Sequence, residues 1–254
     1  MMPSLFLAHG SPMLAIEETP YTDFLRKLGK TYRPKAIVIF TAHWESRVLT
    51  VSSTDDVYET IYDFGGFPPE LYAVTYNARG SVKLANDVRE RFAQNGIETL
   101  ADTRRGLDHG SWTLLHRMYP EADIPVVQIS VHPFLPPAEQ FRIGQALSGL
   151  GEQDILVIGS GVTVHNFAEI HWGQSAVEPW AEEFDQWLID RIAENDCDAL
   201  FRYKELAPHA RRAVPREEHF VPLFIALGAG QGGGKPIYRS YDMGTLSYLC
   251  MSFA

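Results

Sequence analysis

Cysteine is nearly absent from this chain: Cys197 and Cys250 are the only two in 254 residues, and they form no Cys-x-x-Cys pair. That excludes a disulfide scaffold and leaves thiolate metal binding and dithiol redox chemistry without support, so both thiols read as buried or inert. Long runs of one charge sign are also missing. With 22 basic against 32 acidic residues the net charge is −10, which makes a nucleic-acid backbone or an anionic membrane a poor partner and a small molecule a better one. No stretch approaches the roughly 20 apolar residues that span a bilayer. The opening Met1-Met2-Pro3-Ser4-Leu5-Phe6-Leu7 lacks the basic flank and long apolar segment of a signal peptide, and a cytoplasmic protein is expected. Repeats, low-complexity tracts and convincing linkers are absent too; Gly228 to Lys235 reads as a flexible loop.

What is present is a regular alternation. Leu5 to Ala8, Ala36 to Thr41, Val126 to Val131 and Ile155 to Ile158 are short, apolar and bounded by turn or polar residues, which predicts buried strands. Tyr21 to Leu28, Ser81 to Asn95, Ser111 to Tyr119, Pro137 to Leu150 and Pro179 to Glu194 carry apolar residues three and four apart, which predicts helices, with Ser81 and Ser111 as N-caps. Strand–helix alternation predicts an α/β fold with a central, mostly parallel sheet flanked by helices. At 45% hydrophobic content, residues 1–254 can form one domain around one large core.

Four histidines stand in short motifs near the ends of apolar runs: His9 in Ala8-His9-Gly10-Ser11-Pro12, His43 in Ala42-His43-Trp44, His165 in Val164-His165-Asn166, and His219 in Glu218-His219-Phe220. Imidazole is the commonest side-chain metal ligand, and ligands in open α/β sheets collect beyond the carboxyl ends of strands. His9 and His43 are expected to follow the first two strands directly, and His165 to lie a few residues past the strand ending near Ile158. His219 falls in Pro215 to Leu227, where Pro215 suits a helix start and Pro222 would kink that helix towards the site. Together the four read as one mononuclear metal centre. His116, His132, His171 and His209 have no comparable context and read as structural or solvated.

His109, in Asp108-His109-Gly110, precedes a predicted helix and suits proton transfer; Asp108 either orients its ring or caps the helix. Tyr62-Asp63-Phe64-Gly65-Gly66-Phe67-Pro68 sets aromatic rings around a glycine pair and reads as a wall or lid over a flat aromatic substrate, or as a packed turn.

The ordered set of these motifs, from His9 to the tail Asp242-Met243-Gly244-Thr245-Leu246-Ser247, resembles the class III extradiol ring-cleaving dioxygenases, in the 4,5-DOPA dioxygenase branch. The resemblance implies a non-haem Fe(II) centre, with Zn(II) able to occupy the same site. It implies that His9, His43 and His219 bind metal, that His165 is a fourth ligand or a nearby base, and that His109 handles protons. The implied reaction inserts O2 into a catechol ring beside the diol to give a muconic semialdehyde, which for L-DOPA is a seco-DOPA. Some iron oxygenases use a carboxylate ligand, which raises Glu218 as a rival to its neighbour. Adjacent helical residues diverge by about 100°, so only one of the pair would reach a metal, and the resembling branch favours His219. Two other classes use the same histidines: a zinc hydrolase, and a metal-stabilised binding protein with a closed coordination sphere. The catechol's side chain, the ring bond cleaved, the resident metal and possible homo-oligomer formation stay open.

Overall fold

The computed structural model describes residues 1–174 and 176–254. Its strands are β1 (Ser4–Ala8), β2 (Ala36–Glu45), β3 (Leu49–Ser52), β4 (Thr99–Asp102), β5 (Val126–Val131), β6 (Ile155–Gly161), β7 (Lys235–Tyr238), β8 (Tyr241–Asp242), β9 (Leu246–Ser247) and β10 (Cys250–Phe253). Strands β8 and β9 pair with each other, and the other eight form one sheet in the order β4-β3-β5-β2-β6-β1-β10-β7. The central β5-β2-β6-β1 ladder is parallel throughout, whereas β10 runs antiparallel to both β1 and β7.

Period-two alternation explains why helices cover both faces. Leu5 and Leu7 of β1 and Ile37 and Ile39 of β2 join a core with Leu25 and Leu28 of α1 (Pro20–Thr31). Trp112, Leu114 and Leu115 of a later helix, α3 (His109–Met118), complete that core, while α2 (Val82–Gln94) lies on the other side of the sheet. Val38 and Phe40, pointing the opposite way from β2, pack with Leu84 and Val88 of α2, Ile143 of α4 (Pro137–Gln145), and Ile225. Phe6 of β1 meets Phe184 and Leu188 of α5 (Pro179–Ala193). Burial of each such side chain contributes roughly 1.5–3 kcal/mol. After α5 come α6 (Cys197–Phe201), α7 (Tyr203–Leu206), α8 (Ala210–Ala213) and the apolar α9 (Val221–Ala229), which packs on α4, β6 and β1.

The single-domain α/β expectation holds, and four local expectations do not. His43 lies inside β2, which continues to Glu45; its pairing with β5 loses register between Phe40 and Glu45, so the strand bends there. Ser111 is not an N-cap: α3 begins at His109, with Asp108 in the cap position and no side-chain cap bond. Ser81 does cap α2, accepting from the Leu84 N–H at 3.2 Å. Helix α4 ends at Gln145, and Leu150 opens a separate 3-10 turn. Pro215 does not start a helix; α9 begins at Val221 with Pro222 in its first turn, where a missing N–H costs nothing, so no kink arises. No helix among the described residues is long and apolar enough to cross a membrane.

Candidate metal centre

His9 is the first residue after β1 and is wholly buried, tied back to the sheet by its N–H donating to the Gly161 carbonyl. His43 projects from the bent part of β2, and His219 from the turn just before α9. Two glycines let these elements close. A Cβ on Gly161 would lie 2.2 Å from the His219 carbonyl oxygen, the same carbonyl that accepts from Val162 N–H at 2.8 Å, so the turn seats directly against β6. A Cβ on Gly110 would lie 2.9 Å from His43 Cδ2 and displace that ring.

The three rings meet nitrogen to nitrogen: His43 Nε2 is 3.0 Å from His9 Nε2 and 3.2 Å from His219 Nε2. Their opposite nitrogens are all engaged. Ser160 donates its hydroxyl to the Gly110 carbonyl and therefore accepts from His9 Nδ1, 2.9 Å away. His219 Nδ1 donates to Glu218 Oε1 at 3.0 Å, and His43 Nδ1 faces Asp63 Oδ2 at 3.3 Å. With the proton on each Nδ1, three Nε2 lone pairs converge on one point, an arrangement that repels itself unless a cation sits there. Metal–nitrogen bonds of about 2.0–2.1 Å would hold ligand nitrogens roughly 3 Å apart, which fits the observed spacing. Burial, then the other imidazoles, hold His9 far below the ordinary histidine range, and burial with His109 and His219 brings His43 to about 2. Both are neutral near pH 7, the state in which imidazole binds metal.

His165 stands beside this triad. Its ring stacks on that of His219, with centroids 3.7 Å apart and planes at 14°, and its ligand atom groups with Glu218 and His219 but not with His9 and His43. Burial, then the charge of His219, lowers it to about 3. His109 lies at the other side, its ring centroid 3.9 Å from that of His43. Asp108 neither orients it nor caps α3, because its carboxylate accepts from Thr41 Oγ1 at 2.6 Å and Arg105 Nη2 at 3.1 Å. Asp63 takes that role: its Oδ1 accepts from His109 Nδ1 at 2.9 Å and from His109 N–H at 3.0 Å. Burial raises the Asp63 carboxyl, and the hydrogen bonds and charge of His109 outweigh it, leaving the group near 2. Of the neighbouring pair, His219 places Nε2 3.2 Å from His43 Nε2 and groups with His9 and His43, while Glu218 Oε1 accepts from the same ring's Nδ1 and groups with His165 and His219. None of His116, His132, His171 and His209 joins the group among the described residues.

Above the histidines opens a cavity of about 380 Å³. Its apolar lining comes from Pro12 and Met13, from Phe64 and Phe67, from Phe167, Ile170 and Trp172, and from Met243 and Leu246; of these Phe167 and Trp172 are largely exposed and Leu246 is buried. The Asp63–Pro68 stretch thus borders the site, as its aromatic content suggested.

Comparison with known proteins decides the family, because the model for the catalytic LigB subunit of aromatic ring-opening dioxygenases matches residues 3–251. This chain belongs to that family. It is an extradiol ring-cleaving dioxygenase, metal-dependent like the rest of the LigB family, and works on a small aromatic substrate and O2. It is similar to the 4,5-DOPA dioxygenase extradiol of Beta vulgaris, at 40% identity over 96% of this chain and 94% of the relative. The protein of that name from Portulaca grandiflora is 42% identical, covering 98% and 95%; that from Escherichia coli K12 is 39% identical, covering 98% and 93%. A crystal structure of an uncharacterised protein from Escherichia coli K12 superposes with a TM-score of 0.84 at 34% identity, covering all of both chains. These relatives do not favour a zinc hydrolase.

Proposed function

We propose that the chain cleaves a catechol ring beside its diol, on Fe(II) held by His9, His43 and His219, with L-DOPA or a related 4-substituted catechol as substrate. The convergence of three Nε2 lone pairs, each backed by an acceptor at Nδ1, carries this reading. A ferrous ion there would bind the two catechol oxygens and dioxygen at one centre; Zn(II) would fit the same nitrogens without redox chemistry. The chain's own residues then supply positioning and proton transfer. Phe64 and Phe67 hold the ring's flat face, and the apolar lining excludes water. His109, with Nδ1–H spent on Asp63, offers Nε2 to take a hydroxyl proton, and the carboxylate steadies the resulting imidazolium. His165, neutral and stacked on His219, is the second proton carrier rather than a member of the ligand triad. The same reading takes residues 1–254 as one catalytic domain, and two unpaired cysteines suit a cytoplasmic enzyme.

The test loads chelator-treated protein with Fe(II) or Zn(II) and follows oxygen uptake and product colour with a panel of catechols. Catechol-dependent uptake restored by iron alone is expected. Zinc-dependent ester or amide cleavage without oxygen uptake would overturn the reading. His109→Phe should keep the metal and lose about 10²–10⁴-fold in turnover; loss of iron would move His109 into the ligand set.

A further inference from the structure

Four of the five histidines of the centre have a ring nitrogen backed by an oxygen: Ser160 behind His9, Asp63 behind His43 and His109, and Glu218 behind His219. His165 has no such backing among the described residues; its ring is flanked by those of His219 and Phe167, with centroids 3.7 and 4.8 Å away. Where that imidazole stands is therefore set by the backbone that carries it. That backbone is irregular. Between Gly161, the end of β6, and Pro179, the start of α5, the described residues form only one short 3-10 turn, Phe167–Glu169.

Asp185, on the buried face of α5, is the anchor of this segment. It has no exposed surface, and its carboxylate accepts from three hydroxyls. Thr163, two residues before His165, donates to Oδ1 at 2.6 Å. Tyr241 of β8 and Ser247 of β9 donate to Oδ2 at 2.8 and 2.5 Å. Tyr241 Oη accepts in turn from Arg239 Nε at 3.0 Å, and Ser247 Oγ from the Leu249 N–H at 3.1 Å, so both aim their protons at the carboxylate. The β8–β9 hairpin is also laced to the His165 segment directly: Ser247 N–H donates to the Val164 carbonyl at 3.4 Å, the Thr245 hydroxyl to the Glu169 carbonyl at 3.0 Å, and His171 N–H to the Met243 carbonyl at 2.9 Å.

A carboxylate taken out of water is costly unless it is hydrogen-bonded, and once satisfied it fixes its partners in direction as well as in distance. We propose that Asp185 is a positioning residue for ring cleavage: through Thr163 and Ser247 it holds the main chain at residues 163–165 and so sets the place of the His165 imidazole beside the metal ligands. Asp185 is not among the residues that line the cavity, and it acts only through the segment it holds. This rests on His165 being the second proton carrier in the reading above.

The test cuts the link at its far end. Thr163→Val keeps the side chain's shape and deletes the hydroxyl, whereas Thr163→Ser keeps the hydroxyl; each is made in the wild-type and His165→Ala backgrounds. Oxygen consumption by the iron-loaded protein, metal affinity by chelator competition and amide hydrogen exchange are measured. Thr163→Val should lower kcat by about 10–100-fold, because a displacement of about 1 Å in a positioned group can cost 10²-fold. Metal affinity should stay within about threefold, and exchange should quicken across residues 162–170. Thr163→Ser should recover most of the lost turnover. In the His165→Ala background Thr163→Val should change kcat less than about twofold, since a group that acts through His165 has nothing left to act on. Asp185→Leu should reproduce the loss of kcat with a lower thermal midpoint, and the Thr163 pair tests the link where that variant does not fold. Unchanged kcat in Thr163→Val, the same fold-loss in both backgrounds, or a fall in metal affinity that accounts for the lost turnover overturns the inference while leaving ring cleavage intact. An iron-loaded wild type that cleaves no catechol overturns the ring-cleaving reading and this inference with it.

Discussion

Asp63→Asn perturbs the centre at one atom. The carboxylate contacts two histidines with different oxygens: Oδ1 accepts twice from His109, and Oδ2 faces His43 Nδ1 at 3.3 Å. An asparagine oxygen can replace Oδ1 and keep His109 in place. Its amide nitrogen then stands where Oδ2 was, donor against donor with His43 Nδ1–H. His43 must shift its proton to Nε2, withdrawing one lone pair from the triad, or the amide must turn and release His109. Loss of a supporting contact behind a ligand costs about 10–100-fold in metal affinity, or roughly 1.4–2.7 kcal/mol. The substitution also removes the charge that steadies protonated His109. Since a charge-assisted hydrogen bond is about twice as strong as a neutral one, a further loss of roughly 1 kcal/mol, near fivefold in turnover, is expected at saturating Fe(II). Metal affinity is read by competition with a calibrated chelator, and kcat against pH by oxygen consumption. Unchanged affinity together with an unchanged pH profile would refute the reasoning and make Asp63 a bystander.

His219→Ala should abolish stoichiometric metal binding, whereas Glu218→Gln, which keeps an acceptor for His219 Nδ1, should weaken it far less; the reverse order, read by metal analysis, would assign the carboxylate to the metal. Acid should destabilise the metal-free protein before carboxylates titrate. His43 near 2, His165 near 3 and the lowered His9 stay neutral when folded, while unfolded histidines take up protons below about 6.5. Stability is therefore complete above about 6.5 and lost as pH falls, by about 1.4 kcal/mol per pH unit for each group. A flat thermal midpoint between pH 7.5 and 5 in chelator-treated protein would contradict this.

Local pattern made much of this legible. The parallel strands β1, β2, β5 and β6 announce themselves by β-branched apolar runs, and three of the four motif histidines lie at or just past strand ends or inside a strand's bend. Short β3 and β4 were not legible, because four residues each carry too little period and their pairing is set by neighbours far along the chain. Asp63 was visible only as part of an aromatic wall: 46 residues separate it from His109, and nothing local signals a carboxylate aimed at a distant ring. Asp108, adjacent in sequence, was the natural candidate and is turned away by Thr41 and Arg105. A proline within an apolar stretch suggested a kink in a helix from Pro215, yet the turn that carries His219 occupies that stretch and Pro222 opens the helix instead.

The three facing nitrogens come from opposite ends of the chain: 34 residues separate His9 from His43, and 176 separate His43 from His219. At ~5–20 residues per second, a ribosome makes the first two roughly 10–35 s before the third. A nascent chain thus displays only two of the three nitrogens for most of its synthesis, and a transcript broken anywhere before codon 219 yields a product with an incomplete triad. On the proposed ligand set, metal acquisition belongs to the last stage of maturation, when the closing turn docks on β6. Metal content then reports whether the whole polypeptide has reached its native topology, which makes it a gauge of folding yield as well as of catalytic competence.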